Sequence, residues 1–161
     1  MFSAKLFASV FRRPLGFVAG ILLVGSAAYA QAPKMAGTWE MDPAKSQVSD
    51  GRTVVLVIES VNNKIKLSAT TRDKAGQEIH SEFTCAPDGK ECEFTEGGHK
   101  SKMSMWFAGE ALNLAKTDGP PGDVVNEWKL QTSQGSVLTL VVTHIDPQGA
   151  DETLVFAKKG S

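Results

Sequence analysis

An all-β fold is what this 161-residue sequence predicts: an antiparallel up-and-down meander closing into a barrel of about 8–10 strands. Three observations carry that expectation. Turn residues recur about every ten positions from Gly37 onward, the segments between them are rich in β-branched residues or alternate apolar with polar, and no useful stretch shows a 3.6-residue apolar period.

Ahead of the strands, Lys5, Arg12 and Arg13 precede an uncharged run from Leu15 to Ser26, which closes on Ala28-Tyr29-Ala30. This is the pattern of a secretory signal cleaved after Ala30. The run is shorter than the roughly 20 residues of a spanning helix. The surroundings of Arg12-Arg13 match the twin-arginine signal poorly. Residues 1–30 are therefore expected to be a cleaved signal and 31–161 a single exported domain, periplasmic or extracellular, with no membrane span in the mature form. Removing the signal takes three of the 17 basic residues and none of the 18 acidic ones, which leaves a net charge near −4. With no basic stripe, nucleic acid is not an expected partner.

The strands follow in order. A short leader, Gln31 to Met35, precedes a first strand Gly37 to Met41, then a polar loop from Asp42 to Gly51 with room for one helical turn. Thr53 to Glu59 is dense in β-branched residues, and Asn62-Asn63 turns the chain into Lys64 to Arg72, where Ile65, Leu67 and Ala69 alternate with polar residues. Ala75-Gly76 leads to Gln77 to Cys85. Glu91 to Thr95, Lys100 to Phe107 and Ala111 to Lys116 are separated by Gly97-Gly98 and Gly109. Beyond the stiff Gly119-Pro120-Pro121-Gly122 loop come Val124 to Thr132, Ser136 to Ile145 and Thr153 to Lys158. Links this short make sequential strands antiparallel neighbours. Closing the meander removes two long free edges, and a sandwich needs longer crossovers than the chain supplies.

Both cysteines lie in the exported part. A hairpin turn centred on Asp88-Gly89 pairs residues whose numbers sum to 177, so Cys85 faces Cys92 and Phe83 faces Phe94 on the same side. The expected outcome is a Cys85–Cys92 disulfide. A redox or metal pair is disfavoured, because there is no Cys-x-x-Cys and no suitably spaced His.

The decapeptide Gly37-Thr38-Trp39-Glu40-Met41-Asp42-Pro43-Ala44-Lys45-Ser46 resembles the opening of the bacterial secreted lipocalin-like domains. Their pattern is a Gly-Thr-Trp strand, an Asn/Asp-Pro-x-Lys-Ser turn and a run of hairpins, and here it covers essentially the whole mature chain. The resemblance implies a calycin-type barrel with Trp39 packed at the closed end and an interior able to hold a small apolar ligand. True lipocalins place an Arg from the last strands over that Trp. No Arg follows Arg72 here, and Lys158 or Lys159 substitutes only approximately.

Nothing argues for an enzyme. His80, His99 and His144 are scattered, with His80 and His144 read as lying on solvated faces. There is no Gly-x-Ser-x-Gly elbow or phosphate-cradling loop, and neither a metal site nor a cofactor is expected. The candidate ligand-binding residues are the apolar set Phe83, Phe94, Met103, Met105, Phe107, Leu112, Leu114 and Trp128, which either line a cavity or fill a core. Trp106 alternates with Met105 and Phe107 and so points outward, either marking a contact site or lying under the Gly119 to Gly122 loop. The leading expectation is an exported non-enzymatic barrel binding a small hydrophobic molecule. The alternative is a packed barrel acting through its surface near Trp106, as a periplasmic inhibitor or envelope assembly factor.

Overall fold

The computed structural model describes residues 32–96, 99–118 and 125–160, so the expected signal over residues 1–30, Gly97-Gly98 and the Gly119 to Gly122 loop lie outside the described residues. One helical turn, α1 (Ala32–Met35), precedes ten strands: β1 (Gly37–Met41), β2 (Thr53–Val61), β3 (Lys64–Arg72), β4 (Glu78–Cys85), β5 (Asp88–Glu96), β6 (His99–Ala108), β7 (Ala111–Asp118), β8 (Val125–Ser133), β9 (Val137–Asp146) and β10 (Glu152–Lys158). Each strand pairs antiparallel with its sequence neighbours, and β1 pairs with β10 to close the barrel.

Local chemistry explains the turns. Asn62 and Asn63 both adopt positive φ (48° and 62°), the conformation whose twist suits the two-residue hairpin between Val61 and Lys64, and in the longer link between Ser133 and Val137 Gln134 and Gly135 also take positive φ (52° and 72°). At the β3–β4 turn, the Gln77 amide donates to the Asp73 carboxylate (2.9 Å). After β1, the Asp42 side chain accepts from the Ala44 amide (3.0 Å), and the Ser46 hydroxyl both donates to the Asp42 carbonyl (2.7 Å) and accepts from the Val155 amide (2.9 Å). The Asp-Pro-x-Lys-Ser turn thus carries the chain along β10 after β1 ends, as far as a bridge between Gln47 and Thr153.

The β4–β5 hairpin has the register that its turn dictates, with Ser81 opposite Glu96 and Glu82 opposite Thr95, and Cys85 is joined to Cys92. The Lys90 amide donates to the Asp88 carboxylate at the turn (3.0 Å). Strand β5 starts at Asp88 rather than at Glu91, because Asp88 pairs sideways with Trp106 of β6, with a register shift between Asp88 and Glu91.

The barrel is packed shut at the end where β1 begins. Trp39 is fully buried, its indole Nε1 donates to the Met35 carbonyl (2.8 Å), and the Lys158 ammonium sits 5.3 Å from the ring centroid. Lys158 is thus held as a cation over the Trp39 ring. Gly37 makes room for it: φ is +136°, and a Cβ there would lie 2.7 Å from Lys158 Cε.

Candidate functional site

The inward rows of six strands change character along their length. On β2, Leu56 and Val54 give way to Arg52 just before the strand starts; on β10, Phe156 and Leu154 give way to Glu152; on β8, Leu130 and Trp128 give way to Asn126. On β9, Val142 is followed by His144, on β3 Ala69 by Thr71, and on β4 Phe83 is preceded by Ser81. All these residues line one cavity of about 510 Å³, apolar in depth and polar at its mouth. Exposed Ile79 (54%) forms part of the rim. Beside the mouth, a cleft of about 530 Å³ between residues 47–49 and the β9–β10 turn shares Ser49, His144 and Glu152 with the cavity.

Side-chain volume explains why the hollow lies where it does. Strands β5, β6 and β7 project Phe94, Met103, Met105, Leu112 and Leu114 inward, all essentially fully buried, and these fill their side of the barrel. The opposing rows include Ala69, Ser81, Thr71, Val54 and Val142, which leave space. Of the residues singled out from sequence, Phe83 and Trp128 stand in the cavity wall. Phe94, Met103, Met105, Leu112 and Leu114 lie in the packed core beside it, and Phe107 is partly buried against that core. Phe83 joins the two regions, edge-on to Phe94 (centroids 5.3 Å, 87°) and tilted against Trp128 (6.3 Å, 54°).

The mouth is crossed by an ion-pair cluster. Arg52 pairs with Glu152, itself only 8% exposed, and its Nη1 also donates to Asp50 (2.7 Å). Burial works to lower the Arg52 pKa, but Glu152 and Asp50 outweigh it and hold the guanidinium above its ordinary value. For Asp50, burial works to raise the carboxyl, yet the Arg52 guanidinium and amide hold it below the usual carboxylate range. Ser49 donates to the Glu152 carboxylate (3.4 Å).

Two polar atoms among the lining residues, Asn126 Oδ1 and Trp128 Nε1, are buried with no hydrogen-bond partner. Such orphans cost about 1–3 kcal/mol each.

The histidines divide. His80 is exposed, its Nδ1 2.9 Å from Thr70 Oγ1. His144, expected on a solvated face, instead faces inward at the mouth: β9 is apolar on both faces, so alternation was ambiguous, and pairing with Asn126 puts His144 in phase with Val142. The side chain of His99 lies outside the described residues. Among the described residues no group of three or more His, Cys, Asp or Glu is placed to hold a metal ion, and no helix is long and apolar enough to cross a membrane. Trp106 is half-buried on the outer face of β6, between Asp88 and Asn113 in the register.

No protein-family profile matches the sequence, and no curated protein sequence does. Solved structures do match. The REP1-NXSQ fatty acid transporter superposes with a TM-score of 0.62 at 13% identity, over 81% of this chain and 99% of that one. Echinococcus granulosus fatty-acid-binding protein 1 gives 0.61 at 12%, over 80% and 99%. A Schistosoma mansoni fatty acid binding protein in complex with arachidonic acid gives 0.61 at 14%, over 80% and 98%. Likeness at such identities is likeness of fold, and the fold is a ten-stranded calycin-type barrel similar to those of fatty-acid-binding proteins.

Proposed function

We propose that this chain is an exported, non-enzymatic barrel that takes a small hydrophobic molecule into its interior. The observation that carries the reading is the cavity of about 510 Å³, within the range of roughly 300–1,000 Å³ usual for small-molecule pockets and walled by apolar side chains at depth. Phe83 and Trp128 contact the ligand directly, and the row from Phe94 to Leu114 forms the rigid backing. Each buried methylene of a ligand contributes about 0.8 kcal/mol. The structural neighbours include a fatty acid transporter and a fatty acid binding protein in complex with arachidonic acid, which supports an apolar occupant. The packed-barrel alternative requires a filled interior, so the cavity favours the binding reading.

Export rests on the charged, apolar and small-residue pattern of residues 1–30, and the bacterial secreted origin on the Gly37 to Ser46 decapeptide. Native mass spectrometry of the protein isolated from the exported fraction tests both parts. The expected result is a chain starting at Gln31, carrying one discrete small molecule that is lost on denaturation. A chain that retains residues 1–30 sinks the export reading, and failure to take up any apolar probe sinks the binding reading.

A further inference from the structure

Resting on the binding reading above, the polar end of the cavity carries information about the ligand's head. The formally charged groups in the lining are Asp50, Arg52 and Glu152. Their one guanidinium is already engaged by both carboxylates, so the mouth holds a surplus of negative charge. A ligand carboxylate entering here meets two anions and a cation already paired with both of them. Lys116, on the inward row of β7, is not part of the lining and lies with its ammonium 5.9 Å from the Phe94 ring centroid.

The wall offers instead two neutral orphans, the indole N–H of Trp128 and the side-chain oxygen of Asn126. They belong to residues two apart on β8, hence neighbours on one face of the strand, about 7 Å apart along the chain. A donor and an acceptor on neighbouring positions of one strand face call for a head group that both accepts and donates. A hydroxyl does so with two lone pairs and one O–H, an amide with a carbonyl and an N–H; an ionised carboxylate only accepts. Both atoms are shut off from solvent, so water at the mouth does not answer them, and side chains over them must give way as the head enters.

We infer that the interior ligand is an uncharged amphiphile, an apolar chain or ring ending in a hydroxyl or amide, with its head held by Trp128 and Asn126 beneath the Arg52–Glu152 pair. This ligand differs from the fatty acids of the structural neighbours, because the lining's positive charge is neutralised.

The test is displacement of the uncharged fluorophore N-phenyl-1-naphthylamine from the purified, disulfide-intact protein at pH 8, by 1-dodecanol and by dodecanoate, which share one chain length. Expected is displacement by the alcohol at concentrations about tenfold lower than the acid, with Trp128→Phe and Asn126→Leu each narrowing that alcohol-to-acid ratio about three- to tenfold. Dodecanoate binding as tightly as dodecanol, or both variants leaving the ratio unchanged, overturns the inference and leaves the binding reading standing. A protein that takes up no fluorophore, alcohol or acid overturns both.

Discussion

At the end of the barrel beside α1, the inward positions hold Trp39, Ile58, Met105, Leu112, Leu138 and Phe156, none more than 2% exposed. At the other end they hold Arg52, Thr71, Ser81, Asn126, His144 and Glu152 around a hollow. The strands are the same in both halves, so the difference lies in which residues the inward rows carry as each strand runs from one end to the other. Close packing at the first end concentrates stability there, whereas space and incompletely paired polar groups at the second are tolerable only because the first supports them. Substitutions at the closed end should therefore change stability with little change in ligand affinity, and those at the open end should cost less stability and act on the ligand.

The largest effect is expected at Trp39. Replacing it by Ala empties the largest buried ring in the closed end and removes the bond to Met35 and the contact with Lys158, with an expected loss of about 3–5 kcal/mol in urea unfolding. Fluorophore affinity per folded molecule should stay within about twofold. A parallel collapse of binding would mean that the two ends are not separable.

Next is the Cys85–Cys92 bridge. It closes a short loop at the seam where Ser81 pairs with Glu96 and Glu82 with Thr95. Restricting so short a loop in the unfolded chain is worth about 2.5 kcal/mol, so the Cys85→Ser, Cys92→Ser double variant should unfold at correspondingly lower urea. Amide exchange should quicken first between Phe83 and Phe94, and unchanged exchange there would place the stabilisation elsewhere.

That hairpin also marks what was legible in the sequence. Its register follows from one Asp-Gly turn, and the other turns follow from residues such as Asn62-Asn63 that tolerate positive φ, because turn chemistry is local. Barrel closure was legible through the need to hide edges. The hollow was not. It is a difference of volumes summed across the barrel, so Phe94 and Met103, which read as natural lining, fill their side, while small residues such as Ala69 and Ser81 make the space. The Arg52–Glu152 pair joins positions a hundred residues apart and leaves no local trace.

At the open end, Arg52→Met leaves the nearly buried Glu152 carboxylate without its cation. The pair sits at a mouth rather than in a dry core, so the expected cost is about 1–2 kcal/mol, below the range for a fully buried pair. Replacing both partners together, Arg52→Met with Glu152→Leu, should recover most of it. The acid limb of stability should change too. Arg52 holds the folded-state Asp50 carboxyl below its ordinary value of 3.8, so its contribution is present above that value and is lost as pH falls through the folded one. In Arg52→Met that part of the acid loss should disappear, and an unchanged stability profile between pH 5 and about 2 would show that Arg52 does not hold Asp50 in solution.

The smallest effect is expected on the outside of the closed end. Lys159 and Glu40 form an ion pair of 2.6 Å there, with their side chains 63% and 50% exposed. An exposed pair gains little in high dielectric and orders two flexible side chains, so Glu40→Gln should move stability by no more than about 0.5 kcal/mol, and less still in 1 M salt. Glu40 neighbours Trp39 in the chain but points to the opposite face of β1, so the two substitutions differ chiefly in which side of the barrel wall they alter. If Glu40→Gln approached Trp39→Ala in cost, the closed end would owe its strength to its outer surface, and the contrast between a packed end and a hollow one would no longer explain where the stability resides.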